Sequence, residues 1–115
     1  MSLPISSLLT EEWGIHGPES LIAITKDLKE NFVDKGLLVI IESSCSMEQV
    51  IAGKFPDLVI FYFETADDRT RYELFCDTYH GGPGKFGLAD PRVPFPGDEI
   101  SKGSWPRRLR KFLRL

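Results

Sequence analysis

The chain has 115 residues, 42% of them hydrophobic and 27% charged, with a formal net charge of −3. That mix suits one globular domain able to bury roughly two-thirds of its unfolded surface without disulfides or metals. It also excludes a membrane-spanning helix, since no apolar run approaches the ~18–20 residues required.

The charge is unevenly placed. Residues 1–101 carry all 17 acids and eight Lys/Arg, whereas residues 102–115 carry six Lys/Arg and no acid. An acidic body with a basic tail bears on partners rather than on fold. Cys45 and Cys76 allow one disulfide at most. A chain able to build its own core seldom needs one, so both are expected reduced and the protein cytoplasmic. Residues 1–10 have no basic residue ahead of their short apolar patches, which argues against a secretory signal.

Residues 1–17 read as irregular, punctuated by Pro4, Gly14 and Gly17, with a short helical turn at Glu11, Glu12 and Trp13 capped by Thr10. Residues 18–35 give the clearest helix. Pro18 suits the first turn, where its missing N–H costs nothing. Leu21, Ile24, Leu28 and Phe32 step by three and four along one face, with charged residues mostly opposite. Gly36 stands where a helix commonly ends.

Residues 37–42, LLVIIE, form a continuous apolar run that reads as a strand buried on both faces. Ser46 and Gln49 then match a capping box, which predicts a helix from Met47 to about Gly53. The alternative is a short strand over residues 47–52.

The centre of the chain is residues 57–87. In residues 58–63 both alternating sets are apolar: Leu58, Ile60 and Tyr62 on one side, Val59, Phe61 and Phe63 on the other. That marks a central strand. In the next strand Tyr72, Leu74, Cys76 and Thr78 alternate with Arg71, Glu73, Phe75 and Asp77, so one side is expected to be solvated. Residues 65–70 supply a polar turn. From residue 81 to 97, nine of seventeen residues are Gly or Pro. This predicts a loop, with residues 85–88 at most pairing briefly with an edge. The chain ends in a basic amphipathic helix: Trp105, Leu109, Phe112 and Leu113 recur at helical spacing, interleaved with Arg107, Arg108, Arg110, Lys111 and Arg114.

Chemistry-bearing residues gather at the end of the second long strand. Asp77, Tyr79, His80 and Lys85 flank a glycine-rich stretch. A carboxylate-held histidine can act as a general base, and glycines expose backbone N–H groups to anions. Against this, Asp77 and His80 lie three apart, which in a strand puts their side chains on opposite faces. The string GPGK fails as a nucleotide-binding loop, because Tyr79 stands where its first glycine belongs and Phe86 where a hydroxyl must bind magnesium. His80-Gly81-Gly82 lacks the G-x-S-x-G elbow that an esterase would need. Cys45, Cys76, His16 and His80 lack metal-ligand spacing, and nothing near either cysteine marks a reactive thiolate. Neither a cofactor nor a metal is therefore called for.

The expectation is a single α+β domain over residues 1–115: one main amphipathic helix on a small mixed or antiparallel sheet of three to five strands. A Gly/Pro-rich loop and a C-terminal basic tail over 102–115 complete it. With no complete catalytic constellation and opposed charge blocks, the expected role is a small accessory or regulatory protein that binds another protein, not an enzyme. The contact residues would be Arg71, Glu73, Phe75, Asp77, Tyr79, His80 and Lys85, together with Trp105, Arg107, Arg108, Arg110, Lys111 and Phe112. The first alternative is a small enzyme or ligand binder with its site at residues 77–85. The second is a nucleic-acid or anionic-membrane binder acting through the tail. The tail could equally dock on its own domain, since so short a helix is marginal alone in water.

Overall fold

A computed structural model of the chain describes residues 5–81 and 83–90. Five strands form one sheet: β1 (Trp13–Ile15), β2 (Leu38–Ser43), β3 (Leu58–Thr65), β4 (Arg71–Asp77) and β5 (Gly84–Leu88). Their order is β1-β5-β4-β3-β2, and every neighbouring pair is antiparallel. Two helices, α1 (Pro18–Leu28) and α2 (Met47–Ile51), pack side by side. The fold is thus α+β, with the expected main helix and a sheet at the upper end of the expected strand number.

The helix over residues 18–35 forms, but in two parts. Eleven α-helical residues run on into a five-residue π-helix, Lys29–Val33. There the Asp34 N–H reaches back five residues to the Lys29 carbonyl, 2.8 Å away. The Lys29 ammonium spans the same wide turn to the Asp34 carboxylate at 2.9 Å. Gly36 closes the segment at φ 74, a conformation that glycine adopts without a Cβ penalty. Leu21 and Leu28 are buried as the periodicity implied, and Thr25 is buried between them.

The capping box at α2 is complete. The Gln49 N–H donates to the Ser46 hydroxyl at 3.1 Å, and the Ser46 N–H donates to the Gln49 side chain at 2.9 Å. With two end donors satisfied, helix wins over strand for residues 47–51.

The β3–β4 hairpin is the expected centre of the sheet, and its register sets Ile60 opposite Phe75 and Tyr62 opposite Glu73. One sheet face carries the core. Val59, Phe61 and Phe63 of β3 join Tyr72, Leu74 and Cys76 of β4 and Phe86 of β5. They pack against Leu21 and Leu28 of α1 and Met47 and Val50 of α2. The connecting turn is more than a polar link. Asp68 accepts from the Thr65 hydroxyl at 2.6 Å, the Thr70 hydroxyl at 2.7 Å and the Thr70 N–H at 3.1 Å. The Thr65 bond, then those from Thr70, hold its carboxyl far below the ordinary 3.8. A depressed folded-state pKa gives stability that is present above the unfolded value and lost as pH falls below it. Asp68→Asn should therefore lower the melting temperature at pH 7 and flatten its fall from about pH 4 downward. Melting curves of both proteins from pH 7 to pH 2 check this; parallel profiles would contradict it.

Four expectations are corrected. Residues 11–13 hold no helical turn: Trp13 opens β1, an edge strand paired with β5, because its ring packs on Phe86 at 5.2 Å. The run at residues 37–42 is not buried on both faces. Within it, β2 is the other edge of the sheet, with Val39 49% and Ile41 38% exposed, and a bulge between Ile40 and Glu42. Residues 84–88 are no passing edge contact but a full strand between β1 and β4. Lastly, the side of β4 bearing Arg71, Glu73, Phe75 and Asp77 is not freely solvated: Glu73 is only 9% exposed and the others are half-buried. Among the described residues, no helix is long and apolar enough to cross a membrane.

Candidate functional site

The end of β4 is built from both sides of the hairpin. Beyond Asp77 the chain leaves the ladder in a tight turn. Thr78 and Tyr79 both donate their N–H groups to the Asp57 carbonyl, at 2.8 and 3.2 Å. The Thr78 hydroxyl donates to the Pro56 carbonyl at 2.7 Å. The residues leading into β3 thus anchor the residues leaving β4.

That turn overturns the spacing argument against an Asp77–His80 pair. The strand ends at Asp77, so alternation of faces does not extend to His80. The His80 N–H donates to one Asp77 carboxylate oxygen at 3.1 Å, and its Nδ1 lies 2.7 Å from the other. The backbone bond first, and the ring bond second, hold the Asp77 carboxyl below its ordinary range. An ionised Asp77 favours the proton on Nδ1, which leaves Nε2 as the ring's acceptor. The Tyr79 ring meets the imidazole edge-on, centroids 4.9 Å apart, and Tyr79 itself is 72% exposed.

A small cleft of about 80 Å³ adjoins the turn, lined among others by Pro18, Leu21, Phe55, Cys76 and Asp77. Its floor is mostly apolar and it meets the start of α1. His80 is not among the residues that line the cleft; its oriented imidazole can by itself accept a hydrogen bond or a proton from a ligand. The nearby Cys76 thiol is buried, and that burial pushes it up from its ordinary pKa, away from the thiolate form. Among the described residues there is no group of three or more His, Cys, Asp or Glu side chains placed to hold a metal ion.

The structure thus brings together Asp77, Tyr79 and His80. It does not bring Lys85 into that group: the Lys85 ammonium pairs with Glu12 at 3.3 Å, and its backbone lies opposite Phe75 in the ladder. Arg71 pairs with Glu64 at 3.4 Å at the far end of β4. Arg71, Glu73 and Phe75 lie along the sheet face turned away from the helices. Trp105, Arg107, Arg108, Arg110, Lys111 and Phe112 lie outside the described residues, as does the basic helix expected there. Sequence reasoning missed the part played by Pro56 and Asp57, which act through backbone carbonyls that any residue could supply. It also missed the start of α1, which only the folded chain brings beside β4.

Comparison with protein-family models, with characterised proteins and with solved structures gave no significant match.

Proposed function

We propose that this is a small accessory or regulatory protein that binds another protein without catalysing a reaction, and that the turn at residues 77–80 is its contact point. One observation carries the reading: a large aromatic, Tyr79, stands 72% exposed on a backbone already locked by hydrogen bonds to Asp57 and Asp77. Burying such a side chain against a partner gains apolar area and a hydroxyl contact while costing little conformational entropy. Exposed tyrosines of this kind commonly dominate interface energetics. Asp77 and His80 beside it supply polar groups for the rim.

The test is affinity capture from native extract on immobilised wild-type and Tyr79→Ala protein, read by quantitative mass spectrometry. A protein that binds saturably to the wild type should be lost at least about 10-fold on the variant, as expected for a hot-spot aromatic. Capture that is indifferent to Tyr79 would sink the assignment.

The second reading, a small-molecule or catalytic site on the same turn, is favoured by the carboxylate-oriented imidazole of His80. His80→Asn separates the two. The asparagine amide can replace the Nδ1–H donor to Asp77 but has no equivalent of Nε2. A protein contact centred on Tyr79 should survive that change within a few-fold, whereas binding or turnover through Nε2 should be abolished.

A further inference from the structure

Two hollows meet at the start of α1. The first is the cleft of about 80 Å³ whose walls include Pro18, Leu21, Phe55, Cys76 and Asp77. The second is a wider, open hollow of about 460 Å³ that His16, Glu19 and Ser20 help to line. Gly17 and Pro18 line both, so they form the ridge between them. Gly17 has φ 162 and ψ 179, an extended backbone that any residue adopts, and an added Cβ would meet nothing within 4 Å. Neither conformation nor crowding among the described residues requires glycine there. Gly17 makes no side-chain bond to the first turn of the helix, and a serine or aspartate in its place would cap it better. Glycine does keep the ridge low, so that a second backbone can pass closely over it.

We propose that the groove formed by these two hollows binds an extended segment of a partner protein that carries one valine or leucine side chain flanked by Lys or Arg. This rests on the reading that this end of the sheet meets a partner, and adds what the partner presents. The aliphatic side chain seats in the cleft. An apolar cavity that holds benzene measures about 150 Å³. One of about 80 Å³ takes the three or four carbons of a branched aliphatic chain and excludes a ring. The thiol on its wall adds no charge, since burial pushes Cys76 toward its neutral form.

Charge selects the flanking residues. The ionisable groups lining the two hollows are His16, Glu19, Cys76 and Asp77, with no Lys or Arg among the described lining residues. The bonds from His80 hold the Asp77 carboxyl below its ordinary range, so it stays ionised. His80 makes one contact with each oxygen, and a carboxylate has about four acceptor sites, so capacity for a further donor is left. Glu19, in the first turn of α1, offsets the partial positive charge of the helix start. Residues 1–101 carry 17 acids against eight Lys/Arg, which draws a basic segment toward this body.

The test is a titration of the isotope-labelled full chain with short peptides, followed by two-dimensional amide NMR. The probe is acetyl-Gly-Lys-Leu-Lys-Gly-amide. It should shift the amides of Gly17, Leu21, Phe55 and Cys76 saturably. One control peptide has serine for the leucine and another has glutamate for both lysines; each should bind at least about 10-fold more weakly. Gly17→Leu raises the ridge and should abolish binding of the probe while the rest of the spectrum keeps its folded dispersion. Shifts confined to another part of the molecule, no saturable shift at millimolar peptide, either control binding as well as the probe, or a folded Gly17→Leu variant binding like wild type would each overturn the inference. Should Gly17→Leu fail to fold, the three peptides on the wild-type chain decide alone. No native partner enters the titration, so loss of the peptide signal strikes the groove alone, whereas capture indifferent to Tyr79 strikes the contact point.

Discussion

Phe86→Ala should destabilise the fold by about 3–5 kcal/mol, the usual range for removing a fully buried phenylalanine. Phe86 sits at the middle of β5 with no exposure, and three other rings converge on it. Its centroid lies 5.2 Å from Trp13, 5.6 Å from Tyr72 in a stacked arrangement, and 5.8 Å from Phe63 edge-on. The alanine would lose that ring packing as well as transfer energy, since aromatic pairs contribute beyond their buried area. β1 depends on it too, because among the described residues this three-residue strand pairs only with β5. Against a total stability of about 5–15 kcal/mol for a domain of ordinary size, such a loss is large. Urea denaturation read by circular dichroism measures it. A loss below about 1 kcal/mol would mean that the ring cluster does not hold the β1–β5 side of the sheet. Phe86→Leu, which keeps most of the volume, should cost clearly less.

Gly84→Ala should be nearly as damaging, for a different reason. A Cβ at position 84 would lie 2.4 Å from the Phe75 carbonyl oxygen and 2.9 Å from Cys76 Cα and Cβ. Those are backbone and first side-chain atoms, which cannot swing aside, so β4 and β5 must part. We expect a loss of about 3 kcal/mol or more, in the range where overpacked cores fail. Gly81→Ala is the control. Gly81 has φ 67 but nothing within 4 Å of an added Cβ, so only the conformational strain of about 1–2 kcal/mol applies. Similar losses for the two would mean that close approach is not the reason for glycine at 84. Because Cys76 precedes Asp77, Gly84→Ala should also disturb the turn that presents Tyr79. Gly81→Ala should leave capture through Tyr79 closer to wild type.

These two residues also show where reading the chain stops. Gly84 and Phe86 lie in a stretch so rich in glycine and proline that local propensity gives a loop. Glycine there serves packing: Gly84 lets β5 approach β4, and a Cβ at Gly87 would lie 3.1 Å from the Glu12 side chain. Nothing local distinguishes a glycine kept for a turn from one kept for a close crossing. The same limit applies to residues 37–42, whose apolar run fits a buried strand and an edge strand alike. It applies again to Asp77 and His80, where alternation holds only as far as the strand lasts.

What the sequence determined by itself was carried by short-range pattern. The amphipathic stripe from Leu21 to Phe32, the Ser46–Gln49 capping box, the doubly apolar β3 and its partner β4 each depend on residues a few positions apart. They were legible because helix and strand periodicity, and capping chemistry, act at that range. The tertiary structure alone decided the order of strands, the conversion of a glycine-rich stretch into β5, and the recruitment of Trp13 to β1. It also decided the meeting of Asp77, Tyr79 and His80, and the burial of Ile60, Tyr62 and Glu73 on the second face. Each of these depends on which distant segment supplies the hydrogen-bond partner or the cover, and the free energy that selects that segment belongs to the assembled sheet, not to any one stretch of the chain.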